Sequence, residues 1–190
     1  MSRETVLGKA LITSDALGWK AAQVLGGSLF VAVAAQVSVP MFPVPMTLQT
    51  LAILLVGFTL GSRMGALALL TYLAEGAAGL PVFANGASTA ALFGPTAGFL
   101  IGFVGLAWLA GFAAEKGATR NVFLAAAAGI VASALLYIPG LALPALAFGK
   151  TMDVLWMHWM SPFLIGDTVK AVLAALIVTG ALKALKGAKA

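Results

Sequence analysis

Residues 162–170 read PFLIGDTVK and head an apolar run in which Asp167 and Lys170 are the only charged residues between positions 162 and 182. An apolar run of about 20 residues is the length of a membrane-crossing helix. A charge placed inside hydrocarbon costs about 3 kcal/mol even on mild scales. These two have opposite sign and stand three residues apart, so a helix puts them on one face. The pair predicts one of two things: a polar ligand held between helices, or mutual neutralisation with no ligand at all.

Composition points the same way. Of 190 residues, 62% are hydrophobic and 9% charged, where soluble domains carry roughly a quarter charged residues. Mean hydropathy is +1.06. The chain is therefore read as an all-α integral membrane protein, one membrane domain over residues 1–190. The absence of cysteine excludes disulfides and thiolate metal sites. A single histidine, His158, excludes His-cluster zinc chemistry, so no metal is expected. The net charge of +5 raises nucleic acid as a partner. The basic residues sit at segment ends, however, as membrane orientation produces, and no nucleic-acid partner is expected. Residues 1–16 are polar and mixed, without the apolar core of a cleavable signal peptide.

Glycine and proline divide the chain into six expected spans: 17–39, 47–60, 64–80, 97–114, 121–146 and 162–182. Between the first two lies 39–45 (VPMFPVP), whose prolines forbid a helix interior. Gly61, Ser62 and Arg63 read as a tight turn. Residues 81–96 read as a loop or re-entrant segment. Pro139 and Pro144 predict a kinked or unwound end to the fifth span. Residues 149–161 read as a loop. Six spans put both termini on one side. That side holds Arg3, Lys9, Lys20, Arg63, Lys116, Arg120, Lys183, Lys186 and Lys189, and the other only Lys150. So lopsided a split predicts cytoplasmic termini. The remaining basic residue is Lys170, inside the membrane.

Helical rise then sets depth. Glu75, Asp167 and Lys170 fall roughly 8 to 12 Å below the outer ends of their spans. The expectation is an outward-facing substrate cavity floored by these groups and roofed by loops 39–45 and 84–96. Thr47 and Gln49 start span two on the same side, and Asn85 lies in the roof. Each residue also has a plainer reading. Glu75 can pair with Lys170 as packing glue. Thr47 and Gln49 can cap a helix, and Asn85 before Gly86 can form a turn. Tyr72, one turn from Glu75, can be core. Trp156 and Trp159 can anchor the membrane interface. On span one, Ala22–Gly26 and Ser28–Ala32 are small-residue pairs that let another helix approach. The Lys-rich tail can touch anionic lipid.

Catalysis finds no support: there is no nucleophile elbow, phosphate-binding glycine loop or metal-ligand set. An enzyme is not expected. A solute moved uphill would need an ion gradient or a partner ATPase, and six short helices without an evident repeat make a small basis for a complete secondary transporter.

Five stretches, VPMTLQT (44–50), LGSRMG (60–65), GLPVFA (79–84), FGPTAG (93–98) and PFLIGDTVK (162–170), together resemble the BioY family. These are the biotin-specific substrate-capture subunits, or S components, of energy-coupling factor (ECF) transporters. The resemblance runs from span one to span six. It implies six helices with cytoplasmic termini in a prokaryotic cell membrane, and high-affinity capture of biotin from outside. It implies partners as well: a transmembrane coupling protein and two ATP-binding-cassette ATPases, which alone use ATP, so the chain itself carries no cofactor. A homo-oligomer is left open. Within the family the acid and base of the GD-x-x-K element help bind biotin, here Asp167 and Lys170. The small residues of span one dock the coupling protein, which points to Ala22, Gly26, Ser28 and Ala32. Biotin's apolar parts need walls, for which Tyr72, Phe83 and Trp156 are candidates. Alternatives are an S component for another vitamin, or a structural membrane protein without a small-molecule ligand.

Overall fold

The computed structural model describes residues 17–188. The polar N-terminal lead, with Arg3 and Lys9, and Lys189 of the tail lie outside the described residues. Helix α1 covers Leu17–Gln36. Two-residue strands β1 (Ser38–Val39) and β2 (Met46–Thr47) then pair antiparallel and close the proline-rich loop between them. Helix α2 covers Gln49–Ala77, α3 Ala97–Glu115, α4 Val122–Phe148, α5 Met152–Leu155 and α6 Ser161–Gly187. By length and composition, four helices can cross a bilayer: Leu17–Gln36, Ala97–Glu115, Val122–Phe148 and the stretch Met152–Leu185.

Helix α2 is not one rod. Gly61 has φ 85° and ψ 177°, a conformation open to glycine and strained for other residues. The chain folds back there. A Cβ added to Gly65 would lie 3.2 Å from the Gly57 Cα. The Gln49 amide reaches the Tyr72 hydroxyl at 2.7 Å, a separation that one straight helix would stretch to about 35 Å. The expected turn at 61–63 is therefore present, and it joins two antiparallel arms, 49–60 and 62–77. Helix α3 packs on this hairpin through missing side chains. A Cβ on Gly57 would lie 2.5 Å from the Ala107 carbonyl oxygen, and one on Gly111 would lie 2.3 Å from Gly61. Small residues at such contacts let backbones touch, the main source of cohesion where lipid is as apolar as the side chains. Ser62 then ties the turn to the end of α3: its N–H and hydroxyl donate to one Glu115 oxygen at 2.8 and 2.7 Å.

Helix ends differ from the expected spans in ways that packing explains. Helix α4 is not unwound by Pro139 and Pro144, but stays helical to Phe148. Gly98 of α3 sits against the Pro139 carbonyl, and Gly140 leaves room for the Phe99 ring, so α3 clamps α4 where its hydrogen bonding is interrupted. The expected loop 149–161 is largely helical: α5 passes into a π turn, Trp156–Met160, that runs directly into α6. Residues 81–96 form two short 3₁₀ turns, and Thr89 donates to the Gly76 and Ala77 carbonyls at the end of α2.

The glycine contacts make a measurable claim. Gly111→Ala should destabilise the protein by about 1–3 kcal/mol, because the added methyl meets backbone that cannot yield. Gly105→Ala on the same helix, where a Cβ meets nothing within 4 Å, should leave thermal unfolding in detergent unchanged.

Candidate functional site

The start of α2, the middle of α4 and the first half of α6 converge on Asp167. On α6, Asp167 and Lys170 are one turn apart, and the lysine ammonium donates to Asp167 Oδ1 at 3.2 Å. Thr50, in the first turn of α2, donates to the same oxygen at 3.0 Å. From α4, Tyr137 donates to Oδ2 at 2.7 Å. Both charged residues are only 8% exposed. A carboxylate stripped of water is stable when its lone pairs are filled by donors and a cation stands nearby, and here three elements supply both.

Above this floor lies a cavity of about 450 Å³, a volume typical of small-ligand sites. Asp167, Lys170, Thr50 and Tyr137 are its polar base. Phe83, Phe99, Phe103, Trp159 and Phe163 contribute aromatic wall, with Phe99 meeting Tyr137 edge-on at 6.0 Å. Gly76 makes the Phe83 position feasible: a Cβ there would overlap the ring, which stands edge-on to Tyr72.

The upper rim comes from the two loops expected to roof the cavity. Residues 43–47 line it, and Met46 rests against Gly166, next to Asp167. Asn85, with φ 58°, lines it from the other loop and accepts a hydrogen bond from Ser38 at 2.8 Å. Gln36, at the end of α1, holds the second loop by donating to the Phe83 carbonyl and accepting from the Gly86 N–H. Gln49 is held still more firmly. Thr47 donates to its amide oxygen at 2.8 Å; its amide nitrogen donates to Tyr72, whose hydroxyl donates on to the Val82 carbonyl.

Of the residues singled out from sequence, Asp167, Lys170, Thr47, Gln49, Phe83 and Asn85 meet at this cavity. Three do not line it. Tyr72 is fully buried behind the wall, where it orients Gln49. Glu75 faces α1 and accepts a short hydrogen bond from Ser28, so it neither floors the cavity nor pairs with Lys170. Trp156 is 53% exposed and points outward, whereas Trp159 is 2% exposed and enters the wall. Five of the polar and aromatic contributors escaped the sequence reading, Thr50, Phe99, Phe103, Tyr137 and Phe163, and Trp159 was read there only as an interface anchor. A signal existed for Thr50, which sits in the VPMTLQT run, and for Tyr137, the one phenol in a long apolar helix. The small residues of α1 also part company. Ser28 and Ala32 are buried against the bundle, while Ala22 and Gly26 stay exposed.

An all-helical bundle with membrane-length apolar helices and a neutralised acid–base pair beneath an aromatic cavity defines a membrane protein built around an internal small-molecule site. Comparison with known proteins agrees. The BioY family profile matches residues 9–187. The biotin transporter BioY of Thermotoga maritima is 36% identical over 159 residues, 82% of this chain and 92% of that one. The BioY of Rhodobacter capsulatus is 41% identical over 167 residues, 80% of this chain and 87% of its own. The crystal structure of the S component for biotin from an ECF-type ABC transporter superposes with a TM-score of 0.76 at 24% identity. It covers 90% of this chain and 95% of that one, and shows the same fold. The chain belongs to the BioY family.

Tyr137→Phe should lower stability by about 1–2 kcal/mol, because one carboxylate oxygen loses its donor inside the bundle. Thermal unfolding in detergent reads this directly, and Phe148→Leu, away from the cavity, is the control.

Proposed function

We propose that this chain captures biotin from outside the cell as the substrate-binding S component of an ECF-type ABC transporter. The observation that carries the proposal is the Asp167–Lys170 pair, held by Thr50 and Tyr137 at the base of an aromatic cavity in a BioY-family chain. The ligand's chemistry suits that base. A ureido ring offers two N–H donors and a carbonyl. A carboxylate has about four lone-pair sites, so Asp167 keeps acceptor capacity beyond its three donors. Lys170 has donors to spare for a ligand oxygen. The fused ring and aliphatic tail fit against Phe83, Phe99, Phe103, Trp159 and Phe163. Gln49 and Asn85 add polar contacts higher in the site, and Tyr72 acts through Gln49 as a positioning residue.

Topology follows from the charges. The two arms of α2 count as separate crossings, giving six with α1, α3, α4 and α6. Nine of the eleven basic residues then fall on one side, which makes both termini cytoplasmic and opens the cavity outward. The protein is a multi-pass protein of a prokaryotic plasma membrane, a single membrane domain. It is a transporter component and not an enzyme. The sequence carries no nucleotide-binding motif, so energy comes from partners: a transmembrane coupling protein and two ATPases. The exposed Ala22–Gly26 face of α1 is the docking candidate for the coupling protein.

Calorimetry on the purified protein tests this. Biotin should bind tightly at one site, and thiamine and riboflavin should not. Asp167→Asn should weaken binding at least roughly 30-fold, the equivalent of about 2 kcal/mol for breaking a buried charge pair. Lys170→Ala should weaken it as well. No heat with biotin would overturn the function. Unchanged affinity in Asp167→Asn would overturn the site.

A further inference from the structure

A second depression lies between α3 and α4, away from the central cavity. It holds about 320 Å³ and is lined entirely by apolar side chains, among them Leu109, Phe112, Ala128, Val131, Ala132 and Leu135. The alanines leave the space, and the larger residues border it. On α4 the lining runs from residue 127 to 135, about 12 Å along the helix.

One end of this groove is marked by charge. Phe112 lines it, stacks on Trp108 with ring centroids 5.4 Å apart, and carries the Lys116 ammonium over its face at 5.4 Å from the centroid. Arg120 lies in the α3–α4 turn with its side chain against Gly117, next to Lys116. Both are exposed, and among the described residues neither has an ion-pair partner. The neighbouring carboxylate, Glu115, is engaged by Ser62. Two exposed cations, without an ion-pair partner among the described residues, therefore stand where an apolar slot meets the level at which helices end and headgroups begin.

We propose that this groove holds an acyl chain of an anionic phospholipid, with the lipid phosphate against Lys116 and Arg120. The two halves of the site require each other. Free phosphate would satisfy the cations and leave the slot unfilled. A zwitterionic lipid would fill the slot but bring its own cation to Lys116 and Arg120. Basic pockets between membrane helices select anionic headgroups on these grounds. Each alanine in the lining adds depth that a lipid tail can occupy and a flat helix pair would lack.

The test uses the full-length protein purified in detergent, with phosphatidylglycerol or phosphatidylcholine of identical chains added during thermal unfolding. A ligand specific to the folded state raises Tm, so phosphatidylglycerol should raise it several degrees more than phosphatidylcholine. Lys116→Gln with Arg120→Gln should erase that difference. Ala128→Leu, which fills the slot and leaves both cations in place, should erase it too. The charge variant alters exposed residues only, so a cooperative transition should survive and keep the comparison valid if Ala128→Leu fails to fold. Equal stabilisation of the unaltered protein by both lipids would overturn the proposal. A phosphatidylglycerol preference that persists in either variant would overturn it as well, since headgroup and chain would then not act as one site.

Discussion

The Asp167 carboxylate is the point on which the architecture depends. It is charged, almost fully buried, and satisfied by donors from three separate elements: Thr50 of α2, Tyr137 of α4 and Lys170 of its own helix. Losing Tyr137 would leave Oδ2 without a donor, and losing Thr50 or Lys170 would leave Oδ1 with one donor of two, so the three helices are held in relative rotation as well as in distance. Hydrophobic contact cannot supply that fixity among membrane helices, since lipid is an equally good partner for leucine. The polar knot specifies which faces of α2, α4 and α6 look inward, and the cavity is the space left above it.

Close backbone approach supplies the complementary constraint. Gly57, Gly65 and Gly111 bring the α2 hairpin and α3 together without side chains between them, and Gly98 seats α3 against Pro139. These contacts set backbone directly against backbone. One half of the molecule is thus a tightly packed frame of α2 and α3, and the other presents α4 and α6 to it through Tyr137 and Asp167. The roof is held by side-chain hydrogen bonds instead, Ser38 to Asn85, Gln36 to Phe83 and Gly86, and Thr89 to the end of α2.

What was legible in the sequence followed from energetic anomalies. Asp167 and Lys170 stood out because charge in an apolar run must be compensated, and the turn at Gly61 because glycine, serine and arginine interrupt hydrocarbon. What was not legible concerned rotation about helix axes. Depth estimates placed Glu75 level with Asp167, but depth is an axial coordinate. The direction in which a side chain leaves its helix is a separate one, and for Glu75 it leads to Ser28 on α1. Trp156 and Trp159 were misassigned for a related reason. The π turn at 156–160 takes more residues per turn than an α-helix, so ordinary periodicity cannot say which indole turns inward. Pro139 and Pro144 do not unwind the helix, the second of the two outcomes expected there, because a helix interior can absorb a lost hydrogen bond when a neighbour clamps it, as α3 does here.

The fold-back at Gly61 has a bearing on distance. From Thr50, beside the carboxylate, to the reversal at Gly61 is only about 16 Å of helix, roughly half the thickness of a bilayer's hydrocarbon core. The upper half of the barrier is already replaced by cavity and loops. A solute resting on Asp167 would therefore lie only about that far from the Gly61 end of the bundle. Between Asp167 and that end lies packed core, with Leu54, Phe58, Ala174 and Val178 among its buried residues, so the closed part of the bundle beneath the cavity is short.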